Sequence, residues 1–286
     1  MGVRRRCLPA GWYPGTADGV RDAVQGMLGP SPPPRGAVAG VAPHAGWEFS
    51  GALACAVFAS LAEDIDTIVI IGGHLAPSDS ILCALEAEYE TPLGNLRADL
   101  ELASRLKAIL PVAEDRWADN TVEVQLPFAR YFFPRARCLG MRAPPSMKAG
   151  ELGRAIAEAV QAGGIRAAVV GSTDLTHYGS TYGFAPMGSG ERAVEWVKNV
   201  NDRRFVEALV TMDEAGAIAR ATAERSACSS GGAVAAMAFA RAAGAARGEL
   251  LAYRTSRDVY RLGREGPERL SESFVGYAAV VYRKEA

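Results

Sequence analysis

Four short apolar runs limit more than any other feature what this chain can fold into. They are "GAVAGVA" (36–42), "DTIVIIGG" (66–73), "ARCLGM" (136–141) and "IRAAVVG" (165–171). Each is too short for a helix yet apolar almost throughout, which is the pattern of a strand covered on both faces. Between them lie helical patterns: "GALACAVFASLAED", "ADLELASRLKAIL", "KAGELGRAIAEAVQAG", and a shorter piece around "VEVQLPFARYFF" broken by Pro127. Strand and helix in alternation predict an α/β fold with a largely parallel central sheet and helices on both faces. Segment 81–97, "ILCALEAEYETPLGNLR", reads as a β-hairpin insertion. Two long helical stretches are expected at about 191–223 and 231–243, with "GELLAYRT" and "ESFVGYAAVVYR" as terminal strands. The proline cluster at 30–34 reads as an entry loop. Neither a linker nor a repeat divides the chain, so residues 1–286 are read as one domain, long enough for a sizeable core.

Charge and composition exclude several classes of function. The 31 basic residues balance 32 acidic ones, with no basic block beyond Arg4 to Arg6, which argues against a nucleic-acid partner. Those arginines precede "CLPAGWYPG", whose prolines and glycines cannot form the apolar segment of an export signal. The longest apolar stretches are too short, or interrupted by Arg241, to span a bilayer. The expectation is a cytoplasmic protein without membrane contact. Five cysteines, an odd number widely spaced and without a C-x-x-C pair, argue against a disulfide framework or a zinc knuckle. Buried small hydrophobe is the default reading of a free cysteine. Cys228 in "RSACSSGGA" stands apart, because it falls near a helix N-terminus, where a thiol pKa is lowered.

The chain has only three histidines, and all follow expected strands. His44 lies in "VAPHAGWEFSG", His74 in "IIGGHLAPSDS" and His177 in "GSTDLTHYG". Loops leaving the carboxyl ends of parallel strands share one sheet edge, where open α/β folds bind ligands, so the three should converge. A lone histidine is usually a satisfied core or surface residue. Here each has small neighbours that allow close approach, and none lies on an amphipathic stripe. Two imidazoles at adjacent strand ends suit a late first-row metal, with a third protein ligand and an open position. Asp174, Glu123 and Cys228 are all candidates for that third ligand.

The ordered motifs "AGWYPG", "APHAGWEFSG", "IIGGH", "VEVQLPF", "GSTDLTHYG" and the late cysteine resemble the MEMO family, including prokaryotic members called AmmeMemoRadiSam system protein B. The match runs from about residue 10 to the terminal "GYAAVVY". That family is similar in fold to class III extradiol dioxygenases (LigB-like). The resemblance implies His44, His74 and Cys228 as the ligands of one transition-metal ion, iron(II) first, with copper or zinc as alternatives. It also implies His177 as the acid/base and Asp174 beside it in the pocket.

Two residues depart from the family pattern. Where E-H-S is usual, this chain has Asp119, Asn120 and Thr121, which places a neutral amide where a pocket histidine is expected. Asn120 with Glu123 three residues on also reads as a capping box. Ser229 stands where glycine is usual after the cysteine. Asn120, Glu123, Trp47 and Tyr178 are the candidate substrate contacts, although aromatics beside turns, Trp12 and Tyr13 included, also close core edges.

The implied function is a metal-dependent, dioxygenase-like oxidoreductase acting on a small-molecule or peptide ligand. Alternatives are a non-catalytic metal- or peptide-binding scaffold partnering radical SAM and AMMECR-type proteins, and a metal-assisted hydrolase.

Overall fold

The computed structural model describes residues 2–263 and 272–285. The strands are β1 (Val3–Arg4), β2 (Ala37–Ala42), β3 (Thr67–Gly72), β4 (Ile81–Cys83), β5 (Glu88–Tyr89), β6 (Leu96–Arg97), β7 (Val112–Glu114), β8 (Arg137–Arg142), β9 (Ala167–Ser172), β10 (His177–Tyr178), β11 (Gly248–Thr255) and β12 (Phe274–Arg283). The large sheet runs β10-β12-β2-β9-β3-β8-β4-β7, with β11 also paired to β12. Its centre, β2-β9-β3-β8, is parallel throughout. β4 and β12 flank that centre antiparallel, on β8 and β2. All four predicted strands therefore form, within a residue or two of the expected bounds.

Burial explains why those runs could be recognised. Along β3, Val69 and Ile71 face one core while Ile68 and Ile70 face the other, and all four are fully buried. Period-two alternation sends successive side chains to opposite faces, and helices cover both. Helices Met147–Gly163 and Ser230–Ala242 pack on the Val69 face, and Ala17–Leu28, Ala52–Ser60 and Leu126–Phe132 on the other. Each fully buried aliphatic side chain of this kind contributes roughly 1.5–3 kcal/mol.

Two local expectations are corrected. In the segment 81–97, β4 joins the large sheet; only β5 and β6 form a hairpin, and that hairpin pairs with β1 in a separate three-stranded sheet. The stretch 191–223 is interrupted: a helix ends at Val210, Met212 takes a left-handed φ of 58°, and Asp213 caps a new helix, Glu214–Glu224, through the Gly216 N–H. The helix Ala17–Leu28 is an addition to the expected elements; Thr16 caps it, and Val20, Ala23, Val24, Met27 and Leu28 form one stripe packed on the core. The helical pattern does break at Pro127 as expected: the short helix Asn120–Glu123 ends before it, and Pro127 stands in the first turn of the next, Leu126–Phe132. Among the described residues no helix is long and apolar enough to cross a membrane.

Candidate metal centre

The sheet presents its chemistry in one register. β2 ends at Ala42, β3 at Gly72 and β9 at Ser172, and two residues past each stand His44, His74 and Asp174. The strands bearing His44 and His74 are not adjacent as expected: β9 lies between β2 and β3, so the Asp174 loop separates the two histidine loops at the same carboxyl edge. Cys228 comes from the opposite direction, just before the helix Ser230–Ala242. That helix reaches the edge because Gly232 has no side chain: a Cβ there would lie 2.2 Å from the Ile71 carbonyl oxygen.

Three ligand atoms meet as a result. One ring nitrogen each from His44 and His74, and Cys228 Sγ, all lie within 4.8 Å of one another. Cys228 Sγ is 3.2 Å from His44 Nε2, and the two imidazoles stand edge to face with centroids 5.1 Å apart. Bonds of about 2.0–2.3 Å to one ion require donor atoms this close. The electrostatics agree. Burial would raise the Cys228 thiol, but the charge of His44 and hydrogen bonds from His44 and His74 hold it well below the ordinary range. Burial lowers His44, yet Cys228 and Asp174 outweigh it and raise the ring to about 9. Hydrogen bonds to Asp119 and Cys228 raise His74 to about 10. A thiolate gathering two protonated imidazoles is a site whose two ring protons a soft cation can replace, and two nitrogens with one thiolate fit zinc, copper or iron. The residues present therefore fit a late transition metal.

Each ligand is held from behind. His44 Nδ1 lies 3.2 Å from Ser172 Oγ, which also accepts from Gln125 Nε2, and the His44 backbone N–H donates to Asp174 Oδ1 at 2.7 Å. His74 takes a left-handed φ of 57°, uncommon outside glycine, and its N–H donates to Ser229 Oγ at 3.2 Å. Ser229 thus secures the His74 loop, and its own N–H donates to Thr173 Oγ1. Gly73 makes room for it: a Cβ would lie 2.6 Å from Ser229 Oγ.

An open cleft of about 630 Å³ lies over this cluster, lined by His44, His74, Asp174, His177 and Asn120 among others. His177 Nδ1 is 3.1 Å from the Leu175 carbonyl oxygen, which can only accept, so Nδ1 carries the proton and Nε2 is left as the acceptor. Tyr182 packs edge-on against this ring at 5.0 Å. Burial pushes the Asp174 carboxyl up, opposed by the charge of His44. Asn120 lines the cleft and donates from Nδ2 to the His44 carbonyl at 3.3 Å.

Three expected contacts lie elsewhere. Glu123 points away from the cleft and gathers the N-terminal segment, accepting from the Cys7 N–H and thiol, the Leu8 N–H and Tyr13 Oη. The capping box is likewise corrected, because Asp119, not Asn120, caps the short helix Asn120–Glu123 through the Thr121 N–H. Trp47 stacks on Phe128 at 3.9 Å and donates to the Val124 carbonyl, so it belongs to the core. Tyr178 is fully buried, with its hydroxyl between the Met187 N–H and the Gly188 carbonyl. Trp12, Phe49, Tyr182 and Tyr277 line the cleft instead. Of the residues that support the ligands, Arg142 carries no signal in the sequence, whereas Asp119 stands out there only as a departure from the family pattern, and Gln125 and Ser172 only as parts of "VEVQLPF" and "GSTDLTHYG". Ser172, ending the strand before "TDLTHYG", had the clearest positional signal.

The sequence profile of the Memo-like protein family matches residues 5–281. This chain belongs to the Memo family. The MEMO1 family protein of Thermococcus onnurineus is 31% identical over 99% of this chain and 100% of its own length. That of Pyrococcus furiosus is 32% identical over 99% of both. A third, from Pyrococcus abyssi, is 34% identical over 86% of this chain and 87% of its own. The family match thus takes in the central sheet and its helices, from just after β1 to near the end of β12.

Proposed function

We propose that this Memo-family chain is a metal-dependent oxidoreductase of the extradiol-dioxygenase type, holding one ion, iron(II) before copper or zinc, through His44, His74 and Cys228. The convergence of those three donor atoms carries the reading. Such an ion would supply the redox and Lewis-acid chemistry for joining dioxygen to a dihydroxy substrate, a reaction in which both oxygen atoms enter the product and no outside reductant is consumed.

The chain's own residues do the rest. His177 accepts a substrate hydroxyl proton at Nε2, with Nδ1–H anchored on Leu175 so that the ring keeps one tautomer. Asp174 fixes the His44 backbone and lies beside His177 in the cleft. Phe49, Trp12 and Tyr182 offer aromatic surface for a ring or an apolar side chain.

One observation favours the scaffold reading. Asn120 occupies the cleft wall with an amide that cannot move a proton, so only His177 can serve as a positioned imidazole acid or base beyond the ligands. A scaffold of this kind would partner the radical SAM and AMMECR-type proteins that the family resemblance suggests.

Metal analysis of protein purified anaerobically without chelator tests the site, and oxygen uptake by iron(II)-loaded protein with a panel of catechols tests the chemistry. Full iron loading with no uptake in wild type or in Asn120→His moves the assignment to the scaffold.

A further inference from the structure

The two histidines of the centre are supported unequally. Behind His44 Nδ1 stands the neutral hydroxyl of Ser172. Behind His74 Nδ1 stands a carboxylate, Asp119 Oδ2, at 3.3 Å. That carboxylate is fixed from three sides: Oδ1 accepts from the Thr121 N–H at 2.9 Å and from the Thr121 hydroxyl, and Oδ2 faces Arg142 Nη1 at 3.4 Å. Arg142 is itself buried and held by paired contacts to Asp115 at 2.9 and 2.7 Å. Asp115 in turn pairs with Arg4 at 3.5 Å. A chain of alternating charges therefore runs from β1 to the ring of His74.

His74 needs such support more than His44 does. Its backbone has a left-handed φ of 57°, and its side chain is 37% exposed, whereas the His44 side chain is 2% exposed and enclosed by the fold. A half-exposed imidazole on a strained loop has other rotamers within reach unless something holds it.

We infer that Asp119 is the positioning residue of the metal centre, fixing the tautomer and orientation of His74 so that the remaining ring nitrogen faces Cys228, while Arg142 and Thr121 hold the carboxylate back from the ion. The inference rests on the metal reading above. A carboxylate behind a ligating histidine sets its tautomer and strengthens it as a donor, and loss of such a partner typically costs about 10 to 100-fold in metal affinity.

The test compares wild type, Asp119→Asn and Asp119→Ala for zinc affinity, measured by competition with a chromophoric chelator. Asparagine is close to isosteric and keeps an acceptor for the Thr121 N–H, so the helix cap survives while the charge is lost. The expected result is affinity lowered about 10-fold in Asp119→Asn and nearer 100-fold in Asp119→Ala. In the cobalt-substituted variants the thiolate-to-metal band should persist, since Cys228 still binds. In the zinc-loaded wild type, nitrogen NMR should show the His74 proton on Nδ1, exchanging faster in Asp119→Ala. Both variants binding zinc as tightly as wild type overturns the role of Asp119 alone. Wild type that takes up neither zinc nor cobalt overturns the metal reading and this inference with it.

Discussion

The two ends of the parallel sheet both carry a hollow, and the larger one is at the wrong end for chemistry. At the amino ends of β3, β8 and β9 a depression of about 730 Å³ is lined by Asp66, Asp99, Arg137 and Arg166 among others. It holds fixed ion pairs, Arg166 with Asp66 at 2.8 Å and Arg137 with Asp99 at 3.6 Å, and the Arg166 hydrogen bonds hold the Asp66 carboxyl down to about 2. At the carboxyl ends the cleft is smaller, about 630 Å³, but His44, His74 and Cys228 meet beneath it, and among the described residues none of the three pairs with a Lys or Arg. Size does not distinguish a site from a surface hollow here. What does is whether the polar groups are tied up in arginine–carboxylate pairs or bring ligand atoms together around one point.

The largest effect that could break this contrast is on metal content. Cys228→Ala and His74→Ala should each remove nearly all bound metal, measured by elemental analysis, while Asp66→Ala at the opposite end should leave both metal content and the midpoint of thermal unfolding close to wild type, as expected for an exposed ion pair. Equal metal loss in Asp66→Ala would erase the distinction between the two ends.

Next comes His177→Ala, which should keep the metal but lower turnover by about 10² to 10⁴-fold, the usual worth of one positioned acid or base. Metal loss matching that of His74→Ala would instead make His177 a ligand.

A third, smaller effect is on stability. Gly232→Ala puts a Cβ 2.2 Å from the Ile71 carbonyl oxygen, a backbone atom that cannot swing aside. The helix carrying Cys228 must then move off the sheet edge, costing about 1–3 kcal/mol in denaturant unfolding, as overpacking usually does. Metal affinity should fall with it. Unchanged stability would mean that the close approach of helix and strand is not needed.

The smallest effect concerns Asp202, an acid that pairs with no Lys or Arg among the described residues and belongs to neither hollow. It is fully buried and accepts from the Thr176 N–H at 3.0 Å and Tyr253 Oη at 2.7 Å, and burial pushes its carboxyl up to about 7 despite those bonds. The raised value means that the native state holds this proton more tightly than the unfolded chain does. Its contribution is fully present below the unfolded pKa of about 3.9 and is lost as pH rises to about 7, by at most about 1.4 kcal/mol per pH unit. Asp202→Asn should flatten that decline in unfolding free energy without altering metal content. A wild-type pH profile already flat from about pH 4 to 7 would show the carboxyl to be unperturbed.

Much of the fold was legible in the sequence because buried parallel strands need continuous apolar runs, and that requirement is written locally in β2, β3, β8 and β9. The convergence of His44, His74 and His177 on one cleft followed from the same logic, since loops after parallel strands must share an edge. Tertiary structure alone decided which face of a short segment meets the cleft. Asn120 and Glu123 are three residues apart, yet one lines the cleft and the other holds the N-terminal segment, because a four-residue helix has no amphipathic period to read and takes its orientation from Asp119, Thr121 and the strand beneath. Trp47 and Tyr178 sit beside site residues in sequence but turn into the core, where their polar atoms find backbone partners. The carboxylate behind His74 comes from 45 positions further along the chain. No local pattern records such a contact, because only packing brings its two ends together.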